Sequence, residues 1–150
     1  MAKLDFEIKK VTDCDREEFI AMSREFYASE AVLHSVSDQY HKRAFDELMR
    51  SDDYIDCLFF TCNKGIIGYA LIVKTYSREA GGLAVWTDEL YVRPKYRGCG
   101  IGSTYFRWLE KNIPAARYRL EAEPDNAGAL RLYQRLGYKE LSYTQMVKDN

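Results

Sequence analysis

A glycine-rich turn at residues 97–103 is the feature that most constrains how this chain can fold. An apolar, strand-like stretch from Leu90 to Val92 leads into the turn, and a helical pattern follows directly. Such a passage leaves backbone N–H groups free at the positive end of a helix, where a phosphate or pyrophosphate can bind. Glycines at positions 98, 100 and 102 keep side chains away from such a ligand and permit positive φ. The sequence therefore predicts a site for a phosphorylated ligand.

The hydrophobic periodicity elsewhere predicts one α/β domain over residues 1–150. Because a strand, a helix and a further strand follow one another at the glycine turn, we expect a parallel pair of strands there. The expected architecture is a mixed sheet in one layer with helices on both faces. Strands are predicted at 6–11, 55–62, 66–76, 83–92, 118–123 and 141–147, and helices at about 13–27, 38–49, 103–112 and 126–136.

Composition and charge exclude several classes of partner. The formal net charge of −1 and the scattered charges argue against a nucleic-acid-binding face. No apolar run approaches the roughly 20 residues that a membrane span needs, and the N-terminus lacks the apolar core of a signal peptide. The four cysteines show no metal-ligand spacing, so we expect reduced thiols, no metal and a cytoplasmic protein.

Two common phosphate-binding motifs fit the glycine turn poorly. A dinucleotide site needs G-x-G-x-x-G, but Ser103 occupies the position of the last glycine when Gly98 is taken as the first. A P-loop needs Gly-Lys followed by Ser or Thr, and no such triplet occurs in the sequence. A nicotinamide dinucleotide is therefore disfavoured, and a P-loop nucleotide site is excluded.

Two motifs in the last two-fifths of the chain carry a family resemblance. The first is R-x-x-G-x-G at residues 97–102, preceded by Leu90-Tyr91-Val92 and Pro94. The second is N-x-x-A-x-x-L-Y-x-x-L-G-Y at residues 126–138. In this order and at this distance they resemble the GNAT superfamily of acyl-CoA-dependent N-acyltransferases.

That resemblance implies a mostly antiparallel sheet with a splayed parallel pair of strands at an acetyl-CoA site. The turn's backbone would hold the pyrophosphate, the strand from Leu90 to Val92 would pair with the pantetheine arm, and one N–H, assigned to Leu90, would stabilise the oxyanion. Arg97 has the alternative role of a plain surface arginine, and Asn126 that of a helix cap. The implied cofactor-binding residues are Leu90, Tyr91, Val92, Arg97, Gly98, Cys99, Gly100, Ile101, Gly102, Ser103, Asn126, Ala129 and Tyr133.

The resemblance also implies the catalytic groups. Tyr133 would donate a proton to the departing thiolate, although a tyrosine at this helical spacing can equally be a packed side chain. Asp88 or Glu89 would take the proton of the attacking amine. A regular pleat places these two carboxylates on opposite faces, and we prefer Asp88 by its position relative to the glycine turn. Ion pairing with Arg or Lys is the alternative for both.

The chain is thus expected to be an N-acetyltransferase that moves an acetyl group from acetyl-CoA directly to a primary amine of a small molecule or peptide. The alternative is a module that binds acetyl-CoA or CoA without useful turnover. Strand exchange or edge pairing through the last strand would permit a homodimer. The acceptor's identity and the length of the acyl group stay open. Candidate acceptor-binding residues, each with core packing or loop structure as its alternative, are Tyr27, His34, Tyr76 and Trp86.

Overall fold

A computed structural model describes residues 3–150, which contain five strands and four α-helices. Single helical turns at Asp13–Asp15 and Pro94–Tyr96 precede α1 and the glycine turn. The elements in chain order are β1 (Glu7–Lys10), α1 (Arg16–Tyr27), α2 (Asp38–Arg50), β2 (Ile55–Cys62), β3 (Gly65–Ser77), β4 (Gly82–Val92), α3 (Ile101–Asn112), β5 (Arg117–Leu120) and α4 (Ala127–Arg135).

The strands form one sheet in the order β1-β2-β3-β4-β5. The first three pairings are antiparallel, and β4 pairs with β5 in parallel. The connection from β4 through α3 to β5 is long enough to return the chain in the same direction, which a short turn cannot do. The mixed sheet and its parallel pair, both predicted from the sequence, are confirmed.

The core consists of two apolar clusters, one on each face of the sheet. On one face α1 and α2 cover β2 and β3, and Phe19, Phe45 and Tyr69 are among the buried residues. On the other face α3 covers the sheet through Tyr105 and Leu109. Helices therefore cover both faces, as expected.

Two glycines explain the geometry of the central strands. Gly65 has φ +103° in the turn between β2 and β3, a conformation that costs other residues strain. Gly68 faces β4 so closely that a Cβ there would lie 2.3 Å from the carbonyl oxygen of Tyr91. This contact allows β3 to pack directly on the end of β4 that leads into the glycine turn.

The predicted last strand is wrong. Residues 139–150 have no regular secondary structure, and every one of them is exposed. A strand needs a neighbouring edge for its backbone hydrogen bonds, and in this chain residues 141–147 lie on none. Other boundaries differ as well: α3 begins at Ile101 rather than Ser103, β5 ends at Leu120 rather than Glu123, and α1 begins at Arg16, after a separate helical turn at Asp13–Asp15. No helix among residues 3–150 has both the length and the apolar character needed to cross a bilayer.

Candidate active site

The two parallel strands part where the sequence places its candidate catalytic carboxylates. The pairing of β4 with β5 runs from Ala84 opposite Arg117 to Thr87 opposite Leu120. Beyond that point β5 ends, whereas β4 continues to Val92. On the side of β5, the edge of β4 that follows Thr87 therefore has backbone groups without a strand partner among residues 3–150, and it leads directly to the glycine turn.

A β-bulge lies at the same position. Thr87 pairs with Ile72 and Glu89 pairs with Leu71, so Asp88 is the extra residue of β4. A bulge of this kind reverses the alternation of side chains along the strand. Thr87 and Leu90 therefore both lie toward the α3 cluster, where the Thr87 and Tyr105 hydroxyls share a hydrogen bond of 2.8 Å.

Glu89 is directed into the opposite cluster. The hydroxyl of Tyr69, which is 1% exposed, donates a hydrogen bond of 2.7 Å to Glu89 Oε1. Burial raises the pKa of Glu89 from 4.5 to about 7, the bond from Tyr69 opposes this rise, and the charge of Asp88 adds to it. No other hydrogen bond reaches this carboxylate within the part of the chain that the structure describes. Glu89 can therefore exchange a proton near neutral pH.

Asp88 lies in a more open position beside further acidic and aromatic groups. Desolvation raises its pKa, and the nearby charge of Glu121 raises it further. The pKa of Tyr27 is raised to about 12, first by burial and then by the negative charges of Glu89 and Asp88. These two charges act on Tyr27 because it lies near both carboxylates of β4. The bulge thus places two carboxylates, with Glu121 close by, beside the half-buried Tyr27 ring.

The glycine turn has the geometry of an anion site. Gly98 and Gly100 have φ of +74° and +80°, and Gly100 is the N-terminal cap of α3. The N–H of Thr104 donates to the Gly100 carbonyl at 3.1 Å and closes the first helical turn. The N–H groups of Ile101, Gly102 and Ser103 precede this bond and lie at the positive end of the helix.

A surface pocket of about 340 Å³ opens at this turn. Two cations line it, Lys3 and Arg107, and sequence reasoning named neither. Arg107 follows Ser103 by one helical turn, so its place on the same helix face was predictable. Lys3 is brought there by the fold, because the N–H of its neighbour Leu4 donates to the carbonyl of Cys99 at 3.3 Å.

Arg97 and Cys99 occupy the edge of this site. The Arg97 Nε donates to the carbonyl of Val92 at 2.8 Å, and its guanidinium lies 5.8 Å from the Tyr91 ring centroid. Arg97 therefore closes the loop onto the end of β4 while remaining exposed. The Cys99 thiol lies 3.8 Å from the Arg97 carbonyl and lines the pocket.

The second sequence motif forms α4, which packs against the first. Asn126 caps α4, since its side chain accepts a hydrogen bond of 3.2 Å from the N–H of Ala129. Leu132 approaches Gly102 so closely that a Cβ on the glycine would lie 3.3 Å from it. Tyr133 belongs to the apolar cluster that also contains Leu90, and burial raises its pKa. The two motifs thus meet at the start of α3.

The four candidate acceptor residues are not all brought together. Tyr27 lies beside Glu89, as described above. Trp86 lies on the same face of the sheet, and the guanidinium of Arg119 lies 4.1 Å from its ring centroid. His34 is in the exposed connection between α1 and α2. Tyr76, which is 76% exposed, projects from the opposite face, because it pairs with Leu83 three positions from Trp86.

Comparison with known proteins agrees with this geometry. Residues 17–138 match the model of the acetyltransferase (GNAT) family. Thialysine N-epsilon-acetyltransferase from Mus musculus is 27% identical over 154 residues, with 92% of this chain and 86% of that protein covered. Among solved structures, a possible acetyltransferase from Clostridium difficile 630 matches with a TM-score of 0.78 and 18% identity over 97% of both chains. The enzyme AAC(6')-Iy in complex with the bisubstrate analogue CoA-S-monomethyl-acetylneamine matches with a TM-score of 0.79 and 14% identity, over 98% of this chain and 99% of that one.

Proposed function

Because the chain belongs to the acetyltransferase (GNAT) family and transfers an acetyl group from acetyl-CoA to an amine, we propose how its own residues carry out this reaction. Glu89 is the general base, Tyr133 is the general acid, and a small cationic primary amine is the acceptor. The observation that carries the proposal is the bulge at Asp88, which directs Glu89 toward Tyr69 at the point where β4 and β5 part.

The start of α3 is the proposed binding site for the phosphates of acetyl-CoA, which supplies the reactive thioester. The free N–H groups of the first helical turn and the cations Lys3 and Arg107 suit a pyrophosphate. A Cβ built on Gly100 would meet no atom of residues 3–150 within 4 Å, so among these residues nothing covers the turn on that side. The buried hydroxyl of Thr104, in the wall of this pocket, has no hydrogen-bond partner among residues 3–150. These features fit a phosphate ligand.

Glu89 is proposed as the base in place of Asp88, which the family resemblance favoured. A base works best when its pKa lies near the working pH, and burial brings the pKa of Glu89 to about 7. Tyr69 fixes one oxygen of the carboxylate and leaves the other to accept the amine's proton, directly or through a water molecule. Asp88, which is exposed at the gap where β4 and β5 part, attracts the cationic form of the acceptor.

Tyr133 and the free edge of β4 complete the proposed machinery. Tyr133 shares its apolar cluster with Leu90 and Val92, which line the edge where the pantetheine arm would add as a further strand. Its hydroxyl makes no hydrogen bond to any residue from 3 to 150, which leaves it free to protonate the departing sulfur. The N–H of Leu90 is proposed to bind the thioester carbonyl as negative charge develops on its oxygen.

The proposed acceptor is a small amine that carries a further positive charge. Asp88, Glu89 and Glu121 concentrate negative charge at the gap, and Tyr27 and Trp86 provide aromatic surface for the stem of such a molecule. One relative is named for thialysine, an amine of this description. We therefore place thialysine first among test acceptors.

We also propose a cytoplasmic location. The four cysteines are unpaired, and Cys57 is fully buried as a free thiol. Unpaired thiols of this kind persist in reducing compartments. Fractionation of the native host's cells with an antibody to the protein tests the location.

The test is an acetylation assay with thialysine, spermidine, an aminoglycoside and a lysine peptide as acceptors. Release of the CoA thiol is followed against a blank without acceptor, which corrects for the exposed Cys14 thiol. We expect turnover with the small cationic amines and a kcat/KM that rises with pH through about 7, with this limb lost in Glu89→Gln. Acetylation of the peptide alone would contradict the proposed acceptor. Binding of acetyl-CoA without acetylation of any amine would favour a non-catalytic module.

A further inference from the structure

Arg119 of β5 is a half-buried cation without an ionic partner in the part of the chain that the structure describes. Among residues 3–150 the half-buried arginines are Arg93, Arg117 and Arg119. Arg93 and Arg117 each pair with a glutamate, at 3.1 and 3.2 Å. Arg119 forms an ion pair with none of these described residues. A charge that is partly removed from water without a counter-ion is costly, which favours an anion from outside the chain as its partner.

Trp86, on the neighbouring strand, holds the guanidinium of Arg119 in place. The two residues lie opposite each other in the pairing of β4 with β5, and the guanidinium lies 4.1 Å from the Trp86 ring centroid. This contact fixes the position of the cation but supplies no oxygen acceptor for its N–H donors. A planar fork of N–H donors matches the two oxygens of a carboxylate.

The bulge at Asp88 brings Trp86 and Glu89 to the same face of β4. Trp86 pairs with Val73 and Glu89 pairs with Leu71, and both partners belong to the apolar cluster beneath α1 and α2. In a regular strand, positions an odd number apart point to opposite faces, so these two side chains share a face only because of the extra residue. The cation that lies over Trp86 and the proposed base are therefore on one side of the sheet.

The two ends of this face carry opposite charges. Arg119 and Trp86 lie where β4 and β5 still pair, whereas Asp88 and Glu89 lie beyond the point where the strands part. At about 3.3 Å per residue, the three positions from Trp86 to Glu89 span roughly 10 Å. The side chains of Arg119 and Glu89 extend into this interval. A short, flexible molecule with a carboxylate at one end and an amine at the other can therefore reach both groups.

We propose that Arg119 binds a carboxylate of the acceptor while the reacting amine lies at Glu89. The acceptor is then an amino acid with a second amine at the end of its side chain, rather than a polyamine. A carboxylate is favoured over a phosphate, because Asp88 and Glu121 repel a more highly charged anion more strongly. The inference rests on the proposed function and adds the anionic group that the acceptor must carry.

Two acceptors that differ only in the carboxylate give the first test. Thialysine and its decarboxylated form, a diamine, are each offered to the whole protein with acetyl-CoA, and release of the CoA thiol is followed. We expect kcat/KM to be about tenfold or more higher for thialysine, with the difference in KM. Without Arg119 the acidic gap would favour the diamine, which has the larger positive charge.

Variants of Arg119 test whether its charge causes this preference. Arg119→Gln should reduce the preference for thialysine about tenfold or more, by raising the KM for thialysine and not that for the diamine. Arg119→Lys keeps the charge and should restore part of the preference. Arg117→Gln is the matched control, because Arg117 lies on the same strand and pairs with Glu79. It should keep the preference of the wild type.

The outcomes separate this inference from the proposed function. Equal kcat/KM values for the two acceptors would overturn the inference, whereas turnover of both would leave the proposed function standing. An Arg119→Gln protein that lost activity equally toward both acceptors would also overturn it, because Arg119 would then serve only the packing of β5 on β4. A protein that bound acetyl-CoA but acetylated neither amine would contradict the proposed acceptor as well. The comparison of the two acceptors uses the wild-type protein, so it decides the question even if Arg119→Gln does not fold.

Discussion

The buried carboxylate of Glu89 should make the protein less stable as the pH rises from about 4.5 to about 7. Burial raises its pKa from 4.5 to about 7. Below pH 4.5 the group is protonated in both the folded and the unfolded state, so it imposes no electrostatic cost. Between these two values the unfolded state releases the proton first, and the free energy of unfolding falls with pH. Each pKa unit corresponds to about 1.4 kcal/mol, so the loss approaches roughly 3 kcal/mol.

Glu89→Gln removes the charge and keeps an oxygen that can accept the Tyr69 hydrogen bond. We expect this variant to be more stable than the wild type by up to about 3 kcal/mol near pH 8, and equal to it near pH 4.5. The same variant should lose most of its acetyl transfer, because it has no base. A gain in stability together with a loss of activity would show that the carboxylate is buried at a cost in stability because the reaction needs it.

The assay is urea denaturation across this pH range, with the free energy of unfolding extrapolated to water. Glu123→Gln makes the same chemical change at an exposed position and should leave the pH dependence unaltered. If the wild type and Glu89→Gln gave parallel curves from pH 4.5 to 8, the carboxyl would have an ordinary pKa. The proposal of Glu89 as a neutral-pH base would then be refuted.

Three further changes test other parts of the site. Arg107→Glu should weaken acetyl-CoA binding about tenfold or more, as measured by calorimetry, because Arg107 lines the pocket. Arg78→Glu makes the same change on an exposed loop outside the pocket and should leave the affinity unaltered. Tyr133→Phe should lower kcat by about 10²-fold or more in a thiol-release assay without changing the affinity for acetyl-CoA. A loss of acetyl-CoA affinity as large as the loss of kcat would instead indicate that Tyr133 has a packing role. Gly68→Ala should destabilise the fold by about 1–3 kcal/mol in urea denaturation, since its Cβ would lie 2.3 Å from a backbone oxygen, and unchanged stability would contradict that close contact.

Local patterns in the sequence predicted most of the elements because their causes are local. The glycine turn needs positive φ at two glycines, and both Gly98 and Gly100 have it. Asn126 begins α4 as a cap, and Gly137, with φ +94°, follows its end. Each of these features depends on a few neighbouring residues, so the sequence alone was sufficient.

The bulge at Asp88 was not predictable in the same way. It depends on the register between β3 and β4, which the residues of β4 do not specify by themselves. A regular pleat would have placed Asp88 and Glu89 on opposite faces. The environment of Glu89, above all its bond with Tyr69 on the neighbouring strand, follows from that register.

The contribution of Lys3 to the pocket and the absence of a strand at residues 141–147 both depend on contacts, made or missing, between distant parts of the chain. Lys3 reaches the pocket because Leu4 pairs with Cys99, nearly a hundred positions later in the sequence. The last segment has the alternation of a strand, but alternation does not supply the neighbouring edge that a strand needs, and residues 141–147 form no strand.

Calorimetric titration with acetyl-CoA, beside free CoA and NAD, tests most directly whether the start of α3 is the cofactor site. We expect saturable binding of acetyl-CoA and CoA, no binding of NAD, and loss of binding in Gly100→Glu, which places a negative side chain where Gly100 now faces open space. A folded Gly100→Glu protein that bound acetyl-CoA as tightly as the wild type would show that the start of α3 is not the acetyl-CoA site.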